Sequence, residues 1–350
     1  MSKSYLGAAD DVADDDVVRI GLNGFGRIGR NVFRAVLEDP RIELVGINDV
    51  MDFEDMAYLA KYDTVMGRLD GVELDDESLV IGDTSVSLFN VQDPADLPWG
   101  DLDVDVVLEC TGVFRTKEEA SGHLEGGAGK VVISAPPKGE APVKQLVYGV
   151  NHEEYDGEDV VSNASCTTNS ITPVAQVLDE EFGIEAGTLT TVHAYTGSQT
   201  LIDGPKAKTR RGRAAAENIV PTSTGAAGAA TEILPQLEGK IDGMAIRVPV
   251  PNGSITEFVV ALDEPVTAEA VNDAFRDAAD SGPLAGVLGY TDDEVVSSDI
   301  VGLPFSSYVD LQSTNVVGDG TLLKVLTWYD NEYGFSNRML DTAAYVTDES

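Results

Sequence analysis

The strongest constraint on this chain is a glycine pattern placed between two kinds of hydrophobic periodicity. Val17–Leu22 is a β-branched, apolar run, and Asn23-Gly24-Phe25-Gly26-Arg27-Ile28-Gly29 follows it directly. Apolar residues then recur at Val32, Phe33, Val36 and Leu37, the spacing of one helix face over 31–38, until Asp39-Pro40 stops it. A second apolar run, Ile42–Ile47, ends near Asp49, which lies twenty residues beyond Gly29. Strand, G-x-G-x-x-G turn, helix, strand and acid in that order predict a βαβ unit that binds a dinucleotide. Gly24 permits the tight turn, Gly26 lets a pyrophosphate reach the backbone, and Gly29 lets helix and strand pack closely. The helix N-terminus offers unpaired N–H groups and positive potential to the phosphates. Asp49 accepts hydrogen bonds from ribose hydroxyls and repels a 2′-phosphate, which favours NAD over NADP.

The pattern continues in the same style. Val104–Leu108 and Val131–Ser134 are further near-continuous apolar runs, as expected of a parallel sheet buried on both faces. Gln92–Gly100 reads as a loop rich in turn residues. The second half differs. Val160–Val161 is strand-like, a Ser/Asn/Thr-rich stretch over 162–170 leads into a helix carrying Val174, Val177 and Leu178, and Leu189–His193 is a strand. A loop runs from Tyr195 to about Arg213. Met244–Val250, Ser254–Leu262 and Thr321–Tyr329 alternate in the manner of antiparallel strands, and Ser336–Val346 reads as a helix capped by Ser336. The expected fold is α/β: a Rossmann-type doubly wound parallel sheet over 17–165, then an α+β domain over 166–331 with a mostly antiparallel sheet.

Charge narrows the function classes. The 350 residues hold 61 acids against 23 bases, a formal net charge of −38. Such a surface repels nucleic acid and anionic lipid. No run approaches the ~20 apolar residues of a membrane-spanning helix. Low basicity with many acids is the composition expected of a protein soluble in concentrated salt, where screening relieves self-repulsion. Two cysteines, Cys110 and Cys166, make no disulfide framework and fit a reducing, cytoplasmic setting. Met1–Asp16 lacks the basic and apolar regions of a signal peptide and reads as a flexible acidic extension. No metal is called for.

Ser165-Cys166-Thr167-Thr168-Asn169 lies between a strand and a helix, where a helix N-terminus lowers a thiol pKa. Thr172-Pro173 leaves two helix starts open: one at Thr172, or an earlier one with Pro173 inside the helix. Of the three histidines, His193 ends a strand, where catalytic groups are presented. His123 and His152 read as solvated side chains, and Cys110 as a small buried residue.

The segments NGFGRIGR, ASCTTN, HAYT, NIVPTSTGAA, RVPVPNGS and WYDNEYG occur in the order and spacing of phosphorylating glyceraldehyde-3-phosphate dehydrogenase. The chain resembles that family over nearly its whole length from Val17. The resemblance implies that Cys166 is the nucleophile, forming a thiohemiacetal and then a thioester that inorganic phosphate cleaves, with His193 as base and acid. It implies that Thr196 and Arg247 bind the substrate phosphate, and that Ser165, Thr167, Thr224 and Gly225 bind the attacking phosphate. Arg27, Ile28 and Asp49 match cofactor positions. Ser134 and Asn331 match contacts to the nicotinamide end. NAD is the implied cofactor, with NADP as the alternative. A C-terminal helix over 332–350 returning to the cofactor domain, and a homotetramer, are expected on the same ground. The basic stretch KAKTRRGR over 206–213 matches a loop that packs at a subunit interface.

Read without the resemblance, Arg247 is an edge-strand salt-bridge partner and the Thr/Ser residues are loop chemistry. Two other functions compete: erythrose-4-phosphate dehydrogenase and a non-catalytic nucleotide-binding protein. The charge yields the first test. The folded chain is expected to gain thermal stability from dilute buffer to multimolar KCl. An unfolding midpoint that does not move over that range overturns the salt reading.

Overall fold

The strands at the heart of the first half, Val18–Asn23, Ile42–Asn48 and Val106–Glu109, bury nearly every residue. The computed structural model describes residues 17–348; the acidic extension over 1–16 lies outside the described residues. The chain divides into two compact units. One takes the chain up to Tyr148, His152–Ala164 and the residues from Ser336 onward; the other holds Gly149–Asn151 and Ser165–Phe335.

The first unit carries a nine-stranded sheet. Its strands are β1 (Val18–Asn23), β2 (Ile42–Asn48), β3 (Val72–Asp75), β4 (Ser78–Ile81), β5 (Thr84–Phe89), β6 (Val106–Glu109), β7 (Lys130–Ile133), β8 (Lys144–Gln145) and β9 (Val160–Ser162). They lie in the order β8-β9-β7-β6-β1-β2-β5-β4-β3. From β8 to β5 every pairing is parallel; β3 and β4 form an antiparallel edge. The chain runs outward from β1 to β2 on one side and from β6 to β7 on the other. A switch of winding therefore falls between β1 and β6, where doubly wound sheets bind ligands at their carboxyl edge. Helix α1 (Arg27–Val36) makes the first crossover, with Val32, Phe33 and Ala35 buried. A second helix, α2 (Phe53–Lys61), follows β2.

The Gln92–Gly100 loop does more than connect. Asp93 caps a short 3-10 turn at Pro94–Asp96, and Trp99 is fully buried in a cluster with Val45, Val104 and Val107. Gly21 and Gly46 make room for the indole: a Cβ on Gly21 would lie 2.8 Å from the ring. The Trp99 Nε1–H donates to His123 Nδ1 at 3.1 Å, so the imidazole proton sits on Nε2 and points at Glu109 Oε2, 3.1 Å away. His123 is therefore a fully buried partner, not the expected solvated side chain. The charge run around it hid this, because the turn Gly122–Glu125 buries only its histidine. His152 is likewise half-buried, packed on Tyr148 and Tyr345 at 4.5 and 4.8 Å.

The second unit holds an eight-stranded sheet. Its members are β10 (Ile184–Ala194), β11 (Val220–Ser223), β12 (Ile241–Val248), β13 (Ser254–Leu262), β14 (Leu288–Thr291), β15 (Ser307–Asp310), β16 (Asn315–Val317) and β17 (Leu322–Tyr329). The order is β11-β12-β10-β13-β17-β15-β14, with β16 beside β17. Most pairings are antiparallel, but β12 runs parallel to β10 over 187–194. Alternation in the sequence reports a half-buried face and cannot report strand direction, so the antiparallel reading of Met244–Val250 holds against β11 and fails against β10. Helices α3 (Cys166–Phe182), α4 (Ala226–Ile233) and α5 (Ala268–Asp280) complete this unit.

The last helix, α6 (Tyr333–Asp348), begins earlier than expected. Ser336 does not cap it: the residue is buried inside the helix and its Oγ donates to Ile28 O at 3.4 Å. Asp330 supplies the cap, accepting the N–H groups of Glu332 and Tyr333. The fold makes one stability prediction. Trp99→Ala removes a fully buried indole that no neighbouring backbone can replace, and should lower the unfolding free energy by about 3–5 kcal/mol in denaturant titration.

Candidate functional site

The glycine turn sits where β1 ends. Gly24 N–H donates to Asn48 O at 2.7 Å and Cys110 N–H to Asn23 O at 2.7 Å, so the carboxyl ends of β1, β2 and β6 are tied level. Gly24 has φ +97°, and a Cβ there would lie 2.6 Å from Thr111 N. A Cβ on Gly29 would run into the Gly24 carbonyl. Gly26 is different: a Cβ there meets nothing within 4 Å, so the requirement at this glycine is for space outside the protein. Gly26 also begins α1 with no side-chain cap, leaving the first turn's N–H groups to an anion. Asp49 braces the turn by accepting Phe25 N–H at 2.6 Å and Met51 N–H at 3.1 Å. Arg27 pairs with Asp63, whose carboxyl is held below its ordinary range by the Met66 and Val65 N–H groups and by Arg27, against the effect of burial. Ile28 follows Arg27 in the first turn of α1. Ser134 follows β7 at the same carboxyl edge, its N–H on Glu109 O. This cradle fits a dinucleotide: open space at Gly26, an uncapped helix and an acid beside the turn.

The second cluster starts at a backbone kink. Ala164 has φ +55°, an uncommon conformation for a residue with a side chain, and turns the chain out of β9. Ser165 then caps α3, accepting Thr168 N–H at 3.0 Å, so Cys166 is the first helical residue. The earlier of the two helix starts is the one observed, and Pro173 lies inside the helix.

Cys166 Sγ stands 3.5 Å from His193 Nε2. His193 Nδ1 lies 2.7 Å from Ala194 O. With Nδ1–H on that carbonyl, Nε2 presents its lone pair to the thiol. Arg247 is the registered partner of His193 across the parallel β10–β12 pair. Its Nη1 donates to Ala194 O at 2.8 Å and to Thr196 Oγ1 at 3.4 Å. Its Nη1 also lies 3.0 Å from His193 Nδ1, but that nitrogen's proton is already committed to the carbonyl. Strand β12 lies between β11 and β10, so it is not an edge, and among the described residues Arg247 pairs with no carboxylate. The salt-bridge reading of Arg247 fails on both counts.

Electrostatics follow from this packing. Burial and the Arg247 charge hold His193 down at about 3, so the resting imidazole is neutral. Burial pushes the Cys166 thiol up, while Arg247 and the Thr167 hydrogen bonds pull it back. Burial lowers Arg247 itself. The pair is thus a neutral thiol facing a neutral base, with a cation close enough to favour the thiolate.

The remaining predicted residues divide. Thr167 Oγ1 bonds the Tyr329 hydroxyl at 3.0 Å, under the same cysteine. Asn331 Oδ1 accepts from Ser254 Oγ at 2.7 Å. Thr224 Oγ1 accepts Ala226 N–H, and Gly225 begins α4 with no side-chain cap and open space at its Cβ position. Neither is hydrogen-bonded to the Cys166–His193–Arg247 group.

Two residues escaped sequence reasoning. Tyr329 is buried, with its hydroxyl on Thr167 and Thr191 and its ring 5.8 Å from His193. Arg211 donates to Thr222 Oγ1 at 3.0 Å and Ser223 O at 3.2 Å, and its charge bears on both His193 and Arg247. The signal for Arg211 was the basic anomaly over 206–213; for Tyr329 it was strand alternation and its place in the segment WYDNEYG.

A glycine-cradled dinucleotide turn and a cysteine–histidine pair beside a half-buried arginine belong to an NAD-dependent oxidoreductase. The family described as "Glyceraldehyde 3-phosphate dehydrogenase, NAD binding domain" matches residues 18–117, and its C-terminal domain matches residues 165–331. The chain is 71% identical over 333 residues to glyceraldehyde-3-phosphate dehydrogenase of Haloarcula vallismortis, covering 95% of this chain and 98% of that one. It is 52% identical to the protein of that name from Streptomyces coelicolor and 50% identical to that from Geobacillus stearothermophilus, each over 94% of this chain and 98% of the relative. The chain belongs to the glyceraldehyde-3-phosphate dehydrogenase family. Among the described residues no helix is long and apolar enough to cross a membrane.

The charge balance at the site is testable. Arg247→Met should move the pH midpoint of Cys166 alkylation by iodoacetamide upward, because the cation that favours the thiolate is gone. An unchanged midpoint means the arginine does not act on the thiol.

Proposed function

We propose that this protein oxidises D-glyceraldehyde 3-phosphate to 1,3-bisphosphoglycerate with NAD and inorganic phosphate, by covalent catalysis at Cys166. The observation that carries the reading is the unbroken chain from Sγ through His193 and the Ala194 carbonyl to Arg247 and Thr196. His193 Nε2 takes the thiol proton as sulfur attacks the aldehyde carbon, and returns it to the new alkoxide to give the thiohemiacetal. Bound NAD supplies the acceptor for the hydride that leaves this carbon. His193 takes the hydroxyl proton as the thioester forms. Phosphate oxygen then attacks the acyl carbon and the thiolate leaves, which sulfur does readily.

Arg247 and Thr196 hold the substrate phosphate through charge-assisted bonds. Ser165, Thr167, Thr224 and Gly225 hold the attacking phosphate, with Arg211 adding its charge nearby. Gly24, Gly26, Arg27, Ile28, Gly29 and Asp49 hold the dinucleotide, and Ser134 and Asn331 its nicotinamide end. Residues 17–165 serve the cofactor, joined by 332–350, and 166–331 the chemistry. The protein is a homotetramer: Leu201, Ile202 and Ile219, at 82%, 75% and 70% exposure around the basic loop, are apolar surface for a second copy to cover. It works in a reducing cytoplasm, consistent with two free cysteines, and in concentrated salt, consistent with a net charge of −38.

The test is cofactor reduction in high KCl with each aldehyde, with NAD or NADP, with and without phosphate. Phosphate-dependent NADH formation on glyceraldehyde 3-phosphate, lost in Cys166→Ala by at least about a thousandfold, is expected. Sustained turnover without phosphate overturns the phosphorylating step. Preference for erythrose 4-phosphate overturns the substrate, and no turnover from folded protein overturns catalysis.

A further inference from the structure

Among the fully buried hydroxyls that the mechanism does not use, that of Ser254 lies against two groups of the site. Ser254 begins β13, opposite Tyr329 on β17, and has no solvent exposure. Its Oγ accepts the Ala194 N–H at 3.1 Å and donates to Asn331 Oδ1 at 2.7 Å. A serine hydroxyl has one proton. With the backbone amide approaching as a donor, and no other acceptor for it among the described residues, that proton must go to the asparagine. The contact therefore fixes which end of the Asn331 amide is oxygen, an assignment that its shape alone leaves open.

The backbone on either side of Asn331 is already held. Asp330 accepts Asn252 Nδ2 at 2.8 Å, the Gly302 N–H at 2.7 Å, and the N–H groups of Glu332 and Tyr333. What remains free is rotation of the Asn331 side chain, and Ser254 removes it. Asn331 Nδ2 donates to no group among the described residues, so its two protons are available to a ligand.

We propose that Ser254 is a positioning residue for the cofactor: it turns the Asn331 amide so that Nδ2 faces the carbonyl of a nicotinamide carboxamide. This rests on the placement of Asn331 at the nicotinamide end. The same hydroxyl holds the Ala194 peptide, whose carbonyl receives His193 and Arg247. One proton thus sets the cofactor-facing amide, and one lone pair steadies the peptide behind the base.

The experiment is calorimetric titration of the full-length protein, in high KCl, with NAD and with an NAD analogue whose pyridinium ring lacks the carboxamide. Ser254→Ala should weaken NAD binding about tenfold, the scale of one net hydrogen bond, and leave the analogue within about twofold of its native affinity. In an Asn331→Ala background Ser254→Ala should change neither. Ser254→Cys, close in size with a weaker donor, should give the same pattern at smaller size, and it serves if the alanine variant does not fold. Equal loss for both ligands, or additive effects with Asn331→Ala, overturns the proposal. Equal native affinity for NAD and the analogue overturns the placement of Asn331 itself, a separate failure.

Discussion

The chemistry of the second unit depends on a single peptide group. The carbonyl of Ala194 takes the His193 Nδ1–H and an Arg247 N–H, and its N–H is taken by Ser254. Because β10 and β12 run parallel with His193 opposite Arg247, base and cation converge on that one oxygen. Arg247 is half-buried with no carboxylate partner among the described residues, and taking a guanidinium out of water without a counter-charge is costly. The cluster therefore holds an unmet demand for an anion. A phosphorylated substrate meets it, and until then the charge bears on the cysteine and histidine, favouring thiolate and disfavouring imidazolium.

The first unit solves anion binding differently. The two arginines of the first helical turn, Arg27 and Arg30, both pair with Asp63. The unit relies on backbone N–H groups, level strand ends and an open Gly26 instead. In a chain with 61 acids and 23 bases this economy matters. Backbone dipoles attract phosphate without competing for the few cations, which are kept for Arg211, Arg247 and the basic loop.

Legibility in the sequence followed physical scale. The βαβ start was readable because its glycines answer to steric limits within a few residues: Gly24 and Gly29 each have a backbone atom where a Cβ would go. Cys166 and His193 were readable as strand-end and helix-start residues. Arg247 was not, because its partner is fixed by a parallel register between segments fifty-four residues apart. His123 was misread for the same reason: its burial depends on Trp99 and Glu109, which are distant in sequence and invisible to periodicity. The cap of the last helix was misplaced because Ser336 is a good capping residue locally, while Asp330 accepts the helix N–H groups instead. Ala164 carries positive φ with no glycine to announce it.

The first unit is built from both ends of the chain. Arg41, just ahead of β2, bonds Asp341 at 2.7 Å across three hundred residues, and Met339, Leu340 and Ala343 are buried from α6. During synthesis the cofactor-binding sheet is complete long before the helix that seals it leaves the ribosome. Its apolar flank waits through translation of the whole second unit, some minute of elongation at most at about 5–20 residues per second. The helix that closes the first unit is made only after the whole second unit, so a nascent chain cut short anywhere before α6 exposes that flank to chaperones and proteases.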